Sequence, residues 1–297
     1  MGFSTIAILS PGNMGGAVGA QLRKSGYDVI SCLAGRSDFT RRKADEAGFR
    51  DVVDLNALVS EADLVLSILD PAKAMEIAQQ VASAMTSTGK KPIFADCNAT
   101  SPATAEKLNA VIEAAGGKFV DVGIVGGAPT RRENFPQFCT SGPHASLLDE
   151  LHDKGVRIEC IGPRIGQGSA IKICNGAYNK GAFALYTAVM LAAEHYGCTK
   201  FLRDRLPNSQ AGTVERLDQA VLRLPSLSGR YIGEMEQVAE TFEAIGLTPD
   251  IHKGAADLFR LLNASPLATE RREEIDPGRS VADVLRMLSE TMPGSSA

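Results

Sequence analysis

The chain has 297 residues, of which 44% are hydrophobic and 22% are charged, with a formal net charge of −4 and an isoelectric point near 5.7. This length predicts two domains, and the composition predicts a soluble globular protein without nucleic acid as a partner. The six cysteines are scattered, and no histidine or cysteine cluster has ligand spacing. We therefore expect reduced thiols in a cytoplasmic protein with no metal site. The longest apolar run, 181–193, is too short to span a bilayer, so no membrane partner is expected.

The chain begins with an apolar strand that runs into a glycine turn at 10–15, Ser-Pro-Gly-Asn-Met-Gly, and then into a helix. A Rossmann domain holds the pyrophosphate of a dinucleotide at such a turn. Gly12 lets the backbone approach the phosphates, and Gly15 packs the helix against the strand. The turn departs from G-x-G-x-x-G at its first position, which is Ser10. The predicted pyrophosphate-binding residues are Gly12, Asn13, Met14 and Gly15.

Strands and helices then alternate through the first half of the chain. The predicted strands are 27–33, 62–69, 92–96, 118–122, 137–141 and 157–161, and the predicted helices between them are 41–47, 57–60, 72–85 and 102–115. This spacing predicts βαβ units in a doubly wound, mostly parallel sheet. The ligand crevice is expected at the carboxyl ends of the strands, where we also place Leu69 as a cofactor-binding residue.

The character of the sequence changes near residue 168. A helix is predicted over 169–196 with apolar residues on nearly every face, and such a helix is normally buried on all sides. Further helices are predicted at 214–224, 231–245, 253–264 and 280–288. We therefore divide the α/β chain into an NADP-binding Rossmann domain, 1–164, and an all-α substrate and dimerisation domain, 165–297, joined by the long helix. The apolar surface of this helix predicts a homodimer.

The end of the second strand decides between NAD and NADP, because an acid there binds the ribose 2′-hydroxyl and repels a 2′-phosphate. Residues 31–35 contain no acid, and Arg36 and Ser37 follow directly. A guanidinium beside a hydroxyl suits a phosphate, and Arg41 or Arg42 could reinforce it. The alternative is a solvated basic loop. We predict NADP as the cofactor, with Arg36 and Ser37 at its 2′-phosphate.

Three more segments carry chemistry: 96–102, which ends a strand and starts a helix; 121–127, which ends in a glycine pair; and 166–175, which opens the long helix. Together with the front turn they resemble the β-hydroxyacid dehydrogenases, which include 3-hydroxyisobutyrate and 6-phosphogluconate dehydrogenases. The resemblance covers nearly the whole chain. The second half is similar to a branch that carries a 6-phosphogluconate-dehydrogenase-like C-terminal domain of unassigned substrate.

The resemblance implies that Lys172, in its G-x-G-x-x-x-K segment, is the catalytic general acid and base. A partly buried lysine can give or take the proton that accompanies hydride transfer. Asn175, on the same helix face, is expected to orient the substrate hydroxyl. The structural alternatives are a lysine that reaches from the helix start into solvent and a packing amide.

Five further residues are predicted to bind substrate: Asn98, Gly126, Gly127, Asn179 and Arg230. Asn98 stands where the family has a serine, and it can bind the substrate or the cofactor carboxamide. Asp96 is expected to be structural. The backbone at Gly126 and Gly127 is expected to approach a substrate carboxylate, with a plain tight turn as the alternative.

Two departures from the family pattern bear on the substrate. Gly176 stands where the family often has a second asparagine, and Gly233-Glu234 stands where it often has a Lys-Asp pair. Arg230, with Tyr231 beside it, is expected to supply the missing charge. The predicted function is an NADP-dependent oxidoreductase acting on a small hydroxy acid or its carbonyl counterpart. The alternatives are an imine reductase of the same architecture and a catalytically silent NADP-binding scaffold protein.

Overall fold

The computed structural model describes residues 2–129, 135–270 and 275–291, without the side chains of 207–211. It divides into two compact units, Met1–Ile173 and Cys174–Ala297. The division falls inside a long helix, whereas the sequence places the domain boundary in the turn before that helix. Each unit is described by itself below.

The first unit is built on one eight-stranded sheet with the order β3-β2-β1-β4-β5-β6-β7-β8. All neighbouring strands are parallel except β6 and β7, which are antiparallel. The predicted doubly wound, mostly parallel sheet is therefore confirmed. The strands are β1 Thr5–Leu9, β2 Asp28–Ser31, β3 Arg50–Asp51, β4 Leu64–Ser67, β5 Ile93–Asp96, β6 Lys118–Val125, β7 Gln137–Ser141 and β8 Arg157–Gly162.

Helices cover both faces of this sheet, which explains why its central strands are apolar throughout. All four residues of β4 are buried, because one apolar core lies on each face of the sheet. The helices are α1 Asn13–Lys24, α2 Asp38–Ala47, α3 Leu55–Glu61, α4 Ala74–Thr88 and α5 Pro102–Ala114, with 3-10 helices at Pro71–Lys73 and Ala145–Leu151. Helix α6, Gln167–His195, begins in this unit. The two-residue strand β3 was not predicted, since it is too short to show a pattern.

Strands β2 and β3 lie on one side of β1 in the sheet, and the chain then crosses over to place β4 on the other side of β1. Strand β1 pairs in parallel with both β2 and β4, and the residue Leu9 lies opposite Ser67. This reversal of strand order is the switch point at which an open α/β sheet binds its ligand, at the carboxyl ends of the strands. The β1–α1 turn, the β2–α2 loop and the segment after β4 all lie at this edge.

The second unit is helical throughout its described residues, as predicted. After α6 it contains α7 Thr199–Arg205, α8 Pro207–Val221, α9 Leu224–Ala244, α10 Asp250–Asn263 and α11 Val281–Ser289, with a 3-10 helix at Pro266–Thr269. Helices α9 and α10 form its core with fully buried residues such as Met235, Phe259 and Leu262. Helix α11 starts with a capping box between Ser280 and Asp283.

Part of the long helix, which the sequence predicts to be covered by a domain core and a subunit interface, is exposed within one chain. On α6, Tyr178 is 72% exposed, Leu185 is 69% exposed and Val189 is 41% exposed. Other α6 residues, including Met190 and Leu191, are buried. No described helix combines the length and the apolarity needed to cross a membrane.

Candidate active site

The turn between β1 and α1 has the geometry of an anion cradle. Ser10 occupies the left-handed region with φ of 60°, so a serine adopts the conformation that glycine usually provides at this position. The amide of Gly12 donates to the Ser10 carbonyl at 2.7 Å. A Cβ on Gly15 would lie 3.1 Å from Ile8 Cγ2, which explains the glycine where α1 meets β1.

The space in front of this turn is open. A Cβ on Gly12 would find its nearest described neighbour at 4.0 Å, the Ser10 carbonyl oxygen. Helix α1 also begins without a side-chain cap on its first amides. Uncapped amides and the positive end of the helix dipole favour an anion at this point. The predicted residues Gly12, Asn13, Met14 and Gly15 lie at this uncapped helix start, which could hold an anion such as a pyrophosphate.

The loop after β2 gathers positive charge at the start of α2. Ser37 caps α2, because its side chain accepts a hydrogen bond from the Thr40 amide at 3.3 Å. Arg41 Nε donates to the Arg36 carbonyl at 3.2 Å, so both arginines lie at this helix end. The sequence did not reveal that Asp51 also reaches this loop, where it accepts a hydrogen bond from the Leu33 amide at 2.9 Å.

Asn98 joins the carboxyl ends of β4 and β5. Its Oδ1 accepts from the Leu69 amide at 2.6 Å, and its Nδ2 donates to Ser67 Oγ at 3.0 Å and to Asp96 Oδ1 at 2.5 Å. The side chain is only 3% exposed, and both hydrogens of Nδ2 are engaged within the protein. The structure thus brings the predicted residues Leu69 and Asn98 into direct contact.

Asp96 is a buried carboxyl group below this contact. It is 1% exposed, and burial raises its pKa to about 7, although hydrogen bonds from Asn98 and Thr100 act in the opposite direction. The charge of Asp121 on the neighbouring strand also raises the pKa of Asp96. Asp96 serves the local structure, because it accepts the hydrogen bonds that orient Asn98 and Thr100.

A second buried carboxylate, Asp121 on β6, holds the start of α6. Its Oδ2 accepts from Ser141 Oγ at 2.8 Å, from the Gly166 amide at 2.9 Å and from the Ser169 amide at 3.1 Å. Its Oδ1 accepts from Ser169 Oγ at 2.6 Å. Ser141 Oγ in turn accepts from the Gly168 amide at 3.0 Å. The first amides of α6 are therefore capped by residues of β6 and β7.

Two glycines let α6 lie directly on β6. A Cβ on Gly123 would overlap the Gly168 carbonyl, and a Cβ on Gly168 would lie 2.6 Å from the Cys139 carbonyl oxygen. A Cβ on Gly123 would also lie 3.3 Å from the Cβ of Lys172. The predicted catalytic lysine is therefore seated on β6, one turn into α6, with a half-buried side chain.

The glycine pair that ends β6 differs at its two positions. Gly126 has φ of 103°, which an L-residue rarely adopts, so the backbone itself requires this glycine. Gly127 has ordinary φ, and no described atom lies within 4 Å of the Cβ that another residue would carry. The described residues therefore leave space beside Gly127 that a substrate group could occupy.

The second unit carries a polar network on the early turns of its part of α6. Asn179 Nδ2 donates to Asn175 Oδ1 at 3.0 Å, and Arg216 Nη1 donates to Asn179 Oδ1 at 3.0 Å. This network joins the predicted residues Asn175 and Asn179. Arg216 from α8 was not singled out in the sequence.

An ion-pair cluster begins at Lys180, the residue after Asn179. Lys180 Nζ lies 2.5 Å from Glu234 Oε2, and each side chain is only 13% exposed. Arg230 Nε lies 3.3 Å from Glu234 Oε1, and its own side chain is 63% exposed. The Lys180 and Arg230 cations each lie 5.2 Å from the centre of the Tyr231 ring. Lys180 is not among the residues that the sequence predicts for the site, although a lysine inside an apolar helix indicates a buried partner.

The predicted site residues are therefore divided between the two units. The first unit holds Gly12, Asn13, Met14, Gly15, Arg36, Ser37, Leu69, Asn98, Gly126, Gly127 and Lys172, and the second holds Asn175, Asn179 and Arg230. Within the first unit the cofactor residues lie along the carboxyl edge of the sheet, as the strand pattern requires. Asp121 and Lys180 are the main additions from the structure.

Two family models match the chain. Residues 5–149 match the NAD binding domain of 6-phosphogluconate dehydrogenase, and residues 193–262 match a domain of unknown function, DUF1932. An uncharacterised 28.5 kDa protein of Methanothermus fervidus is 30% identical over 191 residues, which are 64% of this chain and 72% of that protein. The mitochondrial 3-hydroxyisobutyrate dehydrogenase of Drosophila melanogaster is 26% identical over 183 residues, which are 59% of this chain but only 53% of the enzyme.

Solved structures share the fold over almost the whole chain. The 3-hydroxyisobutyrate dehydrogenase of Mycobacterium tuberculosis with L-serine has a TM-score of 0.69 at 20% identity, covering 97% of this chain and 99% of that one. Psf3 in complex with NADP+ and 2-OPP has a TM-score of 0.64 at 19% identity, covering 96% and 100%. An imine reductase of Streptomyces aurantiacus has a TM-score of 0.53 at 17% identity, covering 96% and 99%.

The matched models succeed each other along the chain in the same order as its two structural units. The nicotinamide-binding sheet of the first unit and the helical second unit are the two parts that the family combines. The chain belongs to the β-hydroxyacid dehydrogenase family of NAD(P)-dependent oxidoreductases, in a branch with a DUF1932 domain.

Proposed function

We propose that the protein transfers hydride between NADP(H) and a small hydroxy acid or its carbonyl counterpart, with Lys172 as the general acid and base. The seating of Lys172 carries this proposal. Its half-buried side chain leaves a helix turn that lies against β6 at Gly123. A proton donor with a fixed backbone is what general acid catalysis requires.

The residues of the first unit fit a dinucleotide. The open space at Gly12 and the uncapped start of α1 suit a pyrophosphate, and Arg36 with Ser37 suits a phosphate on the ribose. Leu69, held by Asn98, marks the edge at which the nicotinamide half would lie. When bound, the reduced cofactor supplies the hydride.

The protein supplies the proton and the orientation of the substrate. In the reducing direction Lys172 Nζ gives a proton to the carbonyl oxygen as the carbon receives hydride, and in the oxidising direction it takes that proton back. The Asn175 amide is proposed to orient the same oxygen. The backbone amides at Gly126 and Gly127 are proposed to bind the carboxylate of a hydroxy acid.

The second unit is proposed to serve as the substrate and dimerisation domain. Lys180 and Arg230 share one carboxylate, Glu234, so the cluster keeps a net positive charge that suits an anionic substrate. Arg230, being 63% exposed, is the member free to change its contacts, and Asn179 directly precedes Lys180 on α6. The charge lost with the missing second lysine is thus proposed to come from Lys180 and Arg230 together.

Imine reduction remains the second candidate, because an imine reductase and this chain share the fold. The experiment that separates the two is a screen of NADPH oxidation against β-keto acids, aldehydes and cyclic imines. We expect turnover with a carbonyl acid and none with cyclic imines. Turnover with imines alone would assign the protein to the second candidate, and no turnover with any class would favour a silent scaffold.

The first variant to test is Lys172→Ala. We expect turnover to fall by roughly 10²–10⁴-fold, the usual contribution of a positioned general acid, with NADPH binding and folding retained. Lys172→Arg should restore little, because a guanidinium does not release its proton. If Lys172→Ala folds, binds NADPH and turns over at the wild-type rate, proton delivery would have to move to another group, with Tyr178 the first to examine.

A further inference from the structure

The geometry points to Asp121 as the residue that positions Lys172 for proton transfer, by fixing the first turn of α6 on the sheet. This inference rests on the proposed role of Lys172. Asp121 itself does not reach into the open edge of the sheet, since it is fully buried. Its proposed effect on the reaction passes through the backbone of α6.

The carboxylate of Asp121, on strand β6, caps the N-terminus of helix α6. Helix α6 starts at Gln167 after Gly166, a residue with no side chain to cap the first amides. Asp121 accepts from the amides of Gly166 and Ser169 and from the Ser169 hydroxyl, at 2.9, 3.1 and 2.6 Å. A negative charge at a helix N-terminus also stabilises the helix through its dipole.

The hydrogen bonds of Asp121 to Ser141, Gly166 and Ser169 form what we call the clasp. The clasp lies on the same face of β6 as Gly123, against which Lys172 packs. Asp121 and Gly123 are two residues apart on one strand, so both point to the face that carries α6. Ser169 precedes Lys172 by three residues, which places both on one side of the helix. Asp121 therefore fixes the turn directly below the lysine, and Gly123 lets that turn approach the strand.

This arrangement holds the backbone turn from which the lysine side chain leaves, and so bears on the position and direction of that side chain. Without the carboxylate, the amides of Gly166 and Ser169 would be buried without an acceptor, so the first turn would shift to find one. A displacement of about 1 Å at a reacting group can cost on the order of 10²-fold in rate. The expected defect is in turnover and not in cofactor binding, because the described hydrogen bonds of Asp121 run to Ser141, Gly166 and Ser169 and none of them to the β1–α1 turn.

Asparagine at 121 keeps most of the clasp while removing its charge. With Oδ1 in the place of the present Oδ2, it can accept from Ser141, Gly166 and Ser169, and Nδ2 can donate to Ser169 Oγ once that hydroxyl turns. Alanine removes all four hydrogen bonds. The pair Asp121→Asn and Asp121→Ala therefore separates the geometry of the clasp from its charge.

The experiment measures kcat and KM of the full chain for the variants Asp121→Ala, Asp121→Asn and Ser169→Ala. We expect Asp121→Ala to lose about 10²-fold in kcat with KM for NADPH unchanged. Asp121→Asn should restore kcat to within a few-fold of wild type, and Ser169→Ala, which removes only one side-chain contact, should show a smaller loss in kcat. If Asp121→Ala does not fold, the other two variants carry the test.

The matched control is Asp54→Ala. Asp54 also caps a helix with its carboxylate, at 2.8 Å from the Ala57 amide, but it caps α3 and does not contact α6. It should lower stability without changing kcat. A folded Asp121→Ala with wild-type kcat, or an Asp54→Ala variant with the same loss, would overturn the inference. If Lys172→Ala turns over normally, the proposed function has failed instead, whatever Asp121 does.

Discussion

At the scale of single residues, Arg36 is the side chain on which the proposed preference for NADP rests. Its backbone is fixed twice, because its amide donates to the Leu33 carbonyl at 3.1 Å and its carbonyl accepts from Arg41. The guanidinium is thus attached to a rigid loop beside the start of α2. A loop already held beside a helix N-terminus has less to order when it binds a phosphate than a mobile loop does.

We expect Arg36→Ala to weaken NADPH binding by about 10- to 100-fold while NADH binding stays nearly unchanged, because only NADPH carries the 2′-phosphate. Titration of both cofactors checks this. Lys43→Ala is the control, since Lys43 lies on the same helix but pairs with Glu46 at 2.7 Å. Equal weakening of NADH and NADPH by Arg36→Ala would speak against the assigned contact.

Asp96 gives the protein a predictable dependence of stability on pH. Its pKa is raised by burial from 3.8 to about 7, so the folded protein favours the protonated form. The stability that this group contributes is fully present below its unfolded pKa and is lost as the pH rises through about 7. Asp96→Asn keeps a neutral side chain at every pH and removes this dependence.

The measurement is the free energy of urea unfolding of the wild type and of Asp96→Asn at several pH values between 3.8 and about 7. As the pH rises through this range, the free energy of unfolding of the wild type should fall relative to that of Asp96→Asn by about 1.4 kcal/mol per pH unit. The reason is that the folded wild type holds one proton that its unfolded state has released. Taking the difference cancels the contributions of the other titrating groups. A constant difference between the two proteins from acid to neutral pH would contradict the raised pKa.

At the scale of elements, a largely buried ion pair joins Lys180 on α6 to Glu234 on α9. Both side chains are 13% exposed, and Gly176 leaves room for the ammonium, since a Cβ there would lie 3.4 Å from Lys180 Nζ. An asparagine at 176, as the family often has, would fill the space that the ammonium uses. The two departures noted in the sequence therefore belong to one arrangement.

We expect Glu234→Ala to lower the free energy of unfolding by about 2–3 kcal/mol, because it leaves a largely buried ammonium without its partner. Glu243→Ala is the control on the same helix. Glu243 lies 3.9 Å from Lys253 with both side chains more than half exposed, so its loss should change stability by about 0.5 kcal/mol or less. Similar unfolding midpoints for the two variants would mean that the Lys180 pair does not stabilise the fold.

The elements that the sequence predicted well are those with local patterns. The glycine turn at Gly12 and Gly15, the alternating strands and the long helix α6 all follow from residues close together in the chain. The clasp of Asp121 did not follow, because its partners Gly166 and Ser169 are 45 and 48 residues away. Lys180 was missed for the same reason, since only tertiary packing brings Glu234 to it.

At the scale of the whole molecule, several large apolar side chains of the second unit are exposed. Tyr178, Leu185 and Val189 on α6 are exposed, and so are Phe201 on α7 and Ile251 on α10. Large apolar patches on a folded protein mark interaction surfaces. The homodimer stays a prediction, and these side chains of α6 are where we expect its interface.

We expect sedimentation at micromolar concentration to show a dimer. Leu185→Asp should shift it toward the monomer, because a carboxylate would have to be buried in the interface. Phe39→Asp, at an exposed apolar residue of the first unit, is the control and should leave the dimer intact. A wild-type monomer, or an unchanged dimer in Leu185→Asp, would remove α6 from the interface.

The clasp at Asp121 also decides how this protein can be divided in the laboratory. A fragment that stops at residue 164, where the sequence suggests a domain end, would lack Gly166 and Ser169 and leave the buried carboxylate of Asp121 with Ser141 alone. Such a fragment keeps every strand of its sheet and yet carries an uncompensated charge in its core. An expression plasmid for the nucleotide-binding half should therefore extend past Lys172, so that the first turn of α6, which belongs to the first unit, stays with its sheet.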